Sequence, residues 1–184
     1  MPLGRYTSNM RTHMQRFDDT VTQSIQSLPR SWRGFFKQMT LIGQPVFALL
    51  AAAAVSYYGE YTGEWRLIIA GIIVATALLF ASGLKYVLRR KRPLTEYAAA
   101  MFFKTYSFPS GHAAASISCY GLVAYLCLSS GNPVIIATGI ALVPFIISIG
   151  ISRIYLGAHF PSDIIGGWFF GGIGLGLAIW ILHL

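Results

Sequence analysis

Five apolar runs, at residues 41–59, 66–85, 112–130, 133–152 and 163–183, constrain this chain more than any other feature. Each is close to the roughly 18–20 apolar residues that an α-helix needs to cross the hydrocarbon of a bilayer. In lipid the backbone must satisfy its own hydrogen bonds, so runs of this length are read as helices. The sequence therefore predicts an all-α integral membrane protein, a bundle of about five transmembrane helices. Composition agrees: 11% of the residues are charged and mean hydropathy is +0.59, whereas soluble domains carry about 25% charged residues. The length suits about one domain.

Ahead of the first run, residues 1–9 read as an irregular start. From Met10 the apolar positions Met10, Met14, Phe17, Val21, Ile25 and Leu28 recur every three or four residues, with Arg11, Arg16, Asp18, Asp19 and Gln23 on the rest of the surface. That period predicts an amphipathic helix lying on the bundle or in the headgroup layer. Leu28-Pro29 ends it, and Trp32, Phe35 and Phe36 among Arg30, Arg33 and Lys37 suit an interface. The chain divides into an interfacial segment, 1–40, and a transmembrane domain, 41–184. The segment holds six Lys or Arg and no sustained apolar core, so the first true span is expected to direct insertion. Cys119 and Cys127 lie eight apart on one expected helix, roughly 12 Å, too far for a disulfide.

Charge predicts the topology. With five spans, the amino terminus, the long connection from Lys85 to Ser110 and the turn between the last two spans share one side. Thirteen of the 14 Lys and Arg are there, and only Arg66 is on the other. Setting aside Lys85, Arg92 and Arg153 as possible site residues, the ratio is still ten to one, which favours a cytoplasmic placement of that side. The net charge of +8 sits at the edges of apolar runs, not along a polar stripe. It points to anionic lipid headgroups or phosphorylated substrates and away from nucleic acid.

The chemistry-bearing residues cluster at span ends on that same side. Pro109-Ser110-Gly111-His112 forms a turn before an apolar run. A helix amino terminus offers free N–H groups to an oxyanion, and Ser110 adds a hydroxyl; by itself the motif also reads as an ordinary N-cap. His159 and Asp163 are four apart at the mouth of the last span. A carboxylate at one imidazole nitrogen fixes the tautomer and leaves the other nitrogen free as a nucleophile. Lys85, Arg92 and Arg153 each end a span or follow one. Singly such cations snorkel to headgroups, but together they match the charge on phosphoryl oxygens. Arg89, Arg90 and Lys91 read as orientation or lipid-contact charges, and His13 and His183 as bystanders. Tyr97, Phe102, Phe103, Tyr106 and Phe108 place the long connection at the interface or folded back over the site. In the last span Gly167 with Gly171, and Gly172 with Gly176, are expected where helices approach closely.

The ordered set Lys85-x6-Arg92-Pro93, Pro109-Ser110-Gly111-His112 and Ser152-Arg153-x5-His159-x3-Asp163 resembles the signature of the type 2 phosphatidic acid phosphatase (PAP2) superfamily. The resemblance implies that His159 attacks phosphorus and becomes a phosphohistidine, oriented by Asp163. His112 protonates the leaving oxygen and then activates water, while Lys85, Arg92, Ser110, Gly111 and Arg153 hold the phosphoryl oxygens. It implies no metal and no other cofactor, and with one acid expected in the site a two-metal centre is not expected. Many membrane members have a further span ahead of the segment matching residues 10–40, and many carry the site outside the cytoplasm, against the charge pattern here. The implied enzyme is a bacterial or archaeal lipid phosphatase. Its substrates would be phosphomonoesters or pyrophosphates of membrane lipids, such as phosphatidic acid, phosphatidylglycerophosphate, polyprenyl pyrophosphate or lipid A phosphate. The alternatives are a catalytically silent module that binds anionic lipids or partner helices, and a transporter. Intact His112, His159 and Asp163 weigh against the first, and the absence of a mid-span ionisable residue against the second.

Overall fold

Proline, glycine and asparagine set where the helices begin and end. The computed structural model describes residues 4–101 and 105–184, with side chains described from His13 onward. In it α1 runs Gly4–Gln26. No proline or glycine falls between Arg5 and Leu28 to stop it, so residues 4–9, expected to be irregular, are helical; residues 1–3 lie outside the described residues. A 3-10 turn, Arg30–Trp32, leads into α2 (Arg33–Ile42) and then α3 (Pro45–Thr62). The expected first span at 41–59 is therefore not one straight helix. Gly43 and Gln44 interrupt it, Pro45 restarts it, and α2 and α3 meet at 47°. Proline favours such a restart because the first helical N–H has no partner to lose.

Past Gly63, which closes α3 at φ 73, α4 (Trp65–Leu88) continues nearly a turn beyond the expected end at 85. Arg89, at φ 48, caps it by donating its N–H to the Lys85 carbonyl at 2.9 Å. Among its described residues the long connection contains one short helix, α5 (Glu96–Ala99). A π turn at Ser116–Tyr120 joins α6 (Gly111–Ala115) to α7 (Gly121–Leu128) as one continuous rod. Proline opens both α8 (Pro133–Tyr155) and α9 (Pro161–Leu182), and the Asn132 side chain caps α8 by accepting from the Val134 N–H at 2.9 Å. Among the described residues four helices, Trp65–Leu88, Gly111–Leu128, Pro133–Tyr155 and Pro161–Leu182, are long and apolar enough to span a bilayer. The bent pair Arg30–Ile42 and Pro45–Thr62 makes the fifth.

The core is built of small side chains, and the large ones face outward. Ala48, Ala52, Ala70, Ala81, Ala114, Ala115 and Ala178 are buried with Val74, Leu78 and Leu122, whereas Ile72, Leu79, Phe80, Phe169, Leu177 and Trp180 are exposed. Lipid tails are as apolar as leucine, so close backbone packing rather than burial of large groups draws these helices together. Gly167 and Gly171 on α9 meet α6: a Cβ at either position would lie 2.5 Å from a carbonyl oxygen, of Ser110 and of Ala114 respectively. Gly172 and Gly176, expected to serve in the same way, have nothing within 4 Å. They face away from the seam.

The face of α1 turned to the bundle is Asp18, Val21, Thr22 and Ile25; Met14, Phe17 and Leu28 are exposed. This corrects the expectation that Asp18 sits on the polar surface. It is 1% exposed, because α1 packs on α8 and α9 at the bundle end that supplies its partners.

Candidate active site

The four long helices each bring one end to a common cavity of about 720 Å³, and the bent pair meets it at its break. Its walls include Thr40 of α2, Gln44 and Pro45 at the start of α3, Ser82 and Lys85 near the end of α4, Gly111 and His112 at the start of α6, Arg153 near the end of α8, and His159. The long connection folds back over it: Tyr97, Met101 and Thr105 complete the wall together with Arg92. Thr95 pins that connection by donating its hydroxyl to the Gly157 carbonyl at 2.7 Å. Phe102 and Phe103, also expected in this segment, lie outside the described residues. Six of the eight residues singled out from sequence therefore share one cavity. Ser110 and Asp163, each 0% exposed, stand directly behind it.

The lining residues carry three cations and no carboxylate. Lys85 donates to the Pro109 carbonyl at 2.6 Å, which ties the end of α4 to the turn before α6. Arg92 donates from Nε to the Thr105 carbonyl at 2.8 Å, from Nη2 to Thr105 Oγ1 at 3.1 Å and from Nη1 to the Ala158 carbonyl at 3.0 Å. Burial draws its guanidinium below the ordinary arginine value, yet arginine stays charged at any physiological pH. Arg153 is 2% exposed and donates from Nη1 to Thr40 Oγ1 at 2.7 Å. Its Nε–H has no partner among the described residues. A buried, unmatched guanidinium donor on a cavity wall is costly unless an acceptor enters.

His159 lies in the turn between α8 and α9 and is 2% exposed. Its Nδ1 is 3.3 Å from Asp163 Oδ2, and its Nε2 is 3.1 Å from Arg92 Nη1. Because arginine can only donate, Nε2 accepts and the proton belongs on Nδ1, facing the carboxylate. Burial pushes this imidazole down to about 3, a shift that the hydrogen bond it donates to Asp163 partly offsets. At neutral pH the ring is uncharged, with its Nε2 lone pair at the cavity wall, where Arg92 donates to it.

Asp163 is held from four directions. As the third residue of α9 its Oδ2 accepts the Phe160 N–H at 2.9 Å, closing the helix start. Ser107 donates its hydroxyl to the same oxygen. Arg90 Nη1 reaches Oδ1 at 2.7 Å. Ser110 is tied to the same residue through the backbone, its N–H donating to the Asp163 carbonyl at 2.9 Å, while its hydroxyl caps α6 by accepting from Ala113 N at 3.4 Å. Gly111 gives α6 an uncrowded first turn: the nearest atoms a Cβ would meet are at 3.8 and 3.9 Å.

Three residues of this network escape a reading of the sequence. Ser107 carries no pattern. Arg90, expected to contact lipid, lies inside a run of four cations, and nothing local separates it from its neighbours. Asp18 did carry a signal: it sits on the Met14, Val21, Ile25 stripe, where an acid among apolar positions marks a buried partner. Of the expected bystanders, His13 is exposed, and His183 pairs with the Tyr125 hydroxyl at 2.6 Å, near the far end of the bundle.

The PAP2 superfamily model matches residues 66–184. Phosphatidylglycerophosphatase B of Bacillus subtilis (strain 168) is 30% identical over 171 residues, which cover 86% of this chain and 79% of that protein. Among solved structures, the transmembrane PAP2 type phosphatidylglycerolphosphate phosphatase from Bacillus subtilis superposes with a TM-score of 0.75 at 24% identity, over 92% of this chain and 86% of its own. Aquifex aeolicus LpxE superposes with a TM-score of 0.61 at 19% identity, over 87% of this chain and 93% of its own. At these identities the two superpositions speak for the fold.

Proposed function

The chain belongs to the PAP2 superfamily, and on that premise we propose that it is an integral membrane phosphatase acting on a phosphorylated lipid through a phosphohistidine. The observation that carries this reading is the position of His159 Nε2: a neutral lone pair, backed by Asp163, in a cavity walled by Lys85, Arg92 and Arg153. In the first step Nε2 attacks phosphorus and the bond to the leaving oxygen breaks. His112 supplies the proton that this oxygen needs, and the new positive charge on the His159 ring is matched by Asp163. In the second step His112 takes a proton from water as its oxygen attacks phosphorus. The N–P bond breaks and inorganic phosphate leaves.

The three cations hold the non-bridging oxygens throughout, and they gain strength as charge builds there beside the buried Lys85 and Arg153. Before substrate binds, Arg92 occupies Nε2; a phosphoryl group would draw its donors away and uncover the nucleophile. Gly111 and Ser110 add the amino terminus of α6 to the same oxyanion site. In this reading cations and histidines fill the roles that a metal would take, so the proposed mechanism is metal-free.

The substrate is a membrane lipid because the cavity wall continues between the ends of α3 and α4, at Val46, Gly83 and Tyr86. Val46 and Tyr86 are themselves exposed on the bundle's outer surface, so a tail can remain in the bilayer while the headgroup reaches His159. Phosphatidylglycerophosphate heads the candidates on the strength of the Bacillus relative, ahead of phosphatidic acid, polyprenyl pyrophosphate and lipid A phosphate. The ten-to-one excess of cations at this end of the bundle favours a cytoplasmic site.

The test is phosphate release by the purified chain in lipid nanodiscs across these four lipids, with EDTA present. Release from one or two of them, lost in His159→Ala, is the expected result. Full turnover by His159→Ala would remove the nucleophile assignment, and loss with EDTA restored by a divalent ion would remove the metal-free mechanism.

A further inference from the structure

We propose that Asp18, carried by the amino-terminal helix, is a positioning residue for the His159–Asp163 pair and acts through Arg90. The inference rests on the phosphohistidine reading above, but it concerns a residue outside the 66–184 match and outside the three sequence motifs.

The geometry is a chain of three charges whose two carboxylate ends are buried and whose central guanidinium is partly exposed. Arg90 lies between two carboxylates: its Nη1 donates to Asp163 Oδ1 at 2.7 Å and its Nη2 to Asp18 Oδ2 at 2.6 Å. Its guanidinium stacks on the Phe160 ring, 4.5 Å from centroid, so it cannot swing without leaving that face. Ser162 locks the other side, donating its N–H to Asp18 Oδ1 at 2.8 Å and its hydroxyl to Oδ2 at 2.7 Å; Arg90 Nη1 also reaches the Ser162 hydroxyl at 2.6 Å. Asp18 is 1% exposed and Asp163 0%. Asp163 touches His159, so one continuous set of polar contacts joins α1, the long connection and the start of α9 to the nucleophile.

Two physical consequences follow. The first is orientation. A guanidinium held at both ends presents its donor to Asp163 in one geometry, and that fixes which oxygen faces His159 Nδ1. The second is charge. When His159 bonds to phosphorus its ring becomes cationic, and Asp163 must still carry a negative charge to balance it. Arg90 alone would cancel that charge at hydrogen-bond distance. Asp18, equally close on the far side, draws on the same guanidinium, so the trio keeps a net negative charge facing the ring. The groups around His159 on the cavity side, Arg92, Lys85 and Arg153, are all cationic, which makes the remaining negative charge behind it the more important.

The test uses the full chain in nanodiscs. Asp18→Asn keeps the shape, removes the charge and replaces one accepting oxygen with a donor. It is expected to lower kcat by about ten- to a hundredfold, the usual loss when the group orienting a functional histidine is removed, with KM within about twofold. The double variant Asp18→Asn/Arg90→Gln is expected to be no slower than Arg90→Gln alone, because Asp18 acts only through Arg90. Independently of turnover, 15N-histidine NMR of the folded protein is expected to find His159 as the Nδ1–H tautomer in the wild type and as a mixture in Asp18→Asn. If Asp18→Asn lowers the yield of folded protein, Arg90→Gln, measured in the same two ways, tests the link from its middle.

An unchanged kcat with an unchanged tautomer would reduce Asp18 to a docking residue and overturn the inference, as would losses that multiply in the double variant. If the wild type releases phosphate from none of the lipids, the functional reading fails by itself. The tautomer comparison then decides the role of Asp18.

Discussion

Two glycines five residues apart on α9 should respond to the same substitution with opposite signs. At Gly167 an added methyl would sit 2.5 Å from the Ser110 carbonyl oxygen and 2.8 Å from the Ala113 Cβ. Both obstacles belong to α6, one of them backbone, so no side chain can rotate away. Ordinary contact begins near 3.4 Å, and the difference, about 0.9 Å, is the distance by which α9 and α6 must separate locally. Overpacking of this kind costs about 1–3 kcal/mol. Asp163 is one helical turn away and Ser110 precedes His112, so the shift also changes the spacing of the two histidines. A displacement near 1 Å in a reacting constellation costs about a hundredfold in rate. Gly167→Ala should therefore melt earlier and turn over about a hundred times more slowly. Gly172→Ala, with nothing within 4 Å, should keep full activity and gain up to about 1 kcal/mol from helix propensity. Thermal melting and phosphate release on matched nanodisc preparations read both. If the two variants behave alike, the seam between α6 and α9 is not what sets the site.

Asp163→Asn should reduce kcat by about a thousand- to ten-thousandfold, the scale seen when a His–acid pair loses its tautomer control; a loss under tenfold would mean that Asp163 does not orient His159. Arg153→Lys keeps the charge but removes the unmatched Nε–H, and kcat/KM should fall by about tenfold because a point charge replaces a fork; an unchanged value would show that no phosphoryl oxygen uses that donor. Stability should depend on pH through His159. The unfolded imidazole takes up a proton near its ordinary value of about 6.5, whereas the buried ring stays neutral down to about 3. The unfolded state therefore binds more protons within that window, and this contribution to stability is complete above it and declines as pH falls through it. Melting temperatures from pH 7 to 4 should drop more steeply in the wild type than in His159→Asn, and equal slopes would contradict a buried neutral ring.

Much of the fold was legible because hydropathy and spacing are local properties. The spans at 133–152 and 163–183 come within a few residues of α8 and α9, and the three motifs name six of the residues that line the cavity. The misses involve relations that no local period encodes. The bend at Gly43 needed the Gly-Gln-Pro punctuation to be weighed above hydropathy. The π turn at 116–120 leaves no mark in a run of small residues. Asp18 and Arg90 are 72 residues apart in sequence, and only the docking of α1 against α9 brings them together. Gly172 and Gly176 share the spacing of packed glycines, but they point to the side that no neighbour occupies.

The four long helices meet the cavity with one end, which fixes a parity for the molecule. Counting crossings, the turns closed by Gly63 and Gly131 must lie on the opposite face from His159, whichever way the bundle is threaded. Both glycines have open space around them, and Ser129 in the second turn is exposed. A cysteine at Ser129 reached by an impermeant thiol reagent from outside an intact cell would thus put the phosphatase chemistry inside. Protection at Ser129, with labelling instead at Lys37→Cys, would put it outside. The compartment where phosphate is released can in this way be read from a turn that takes no part in releasing it.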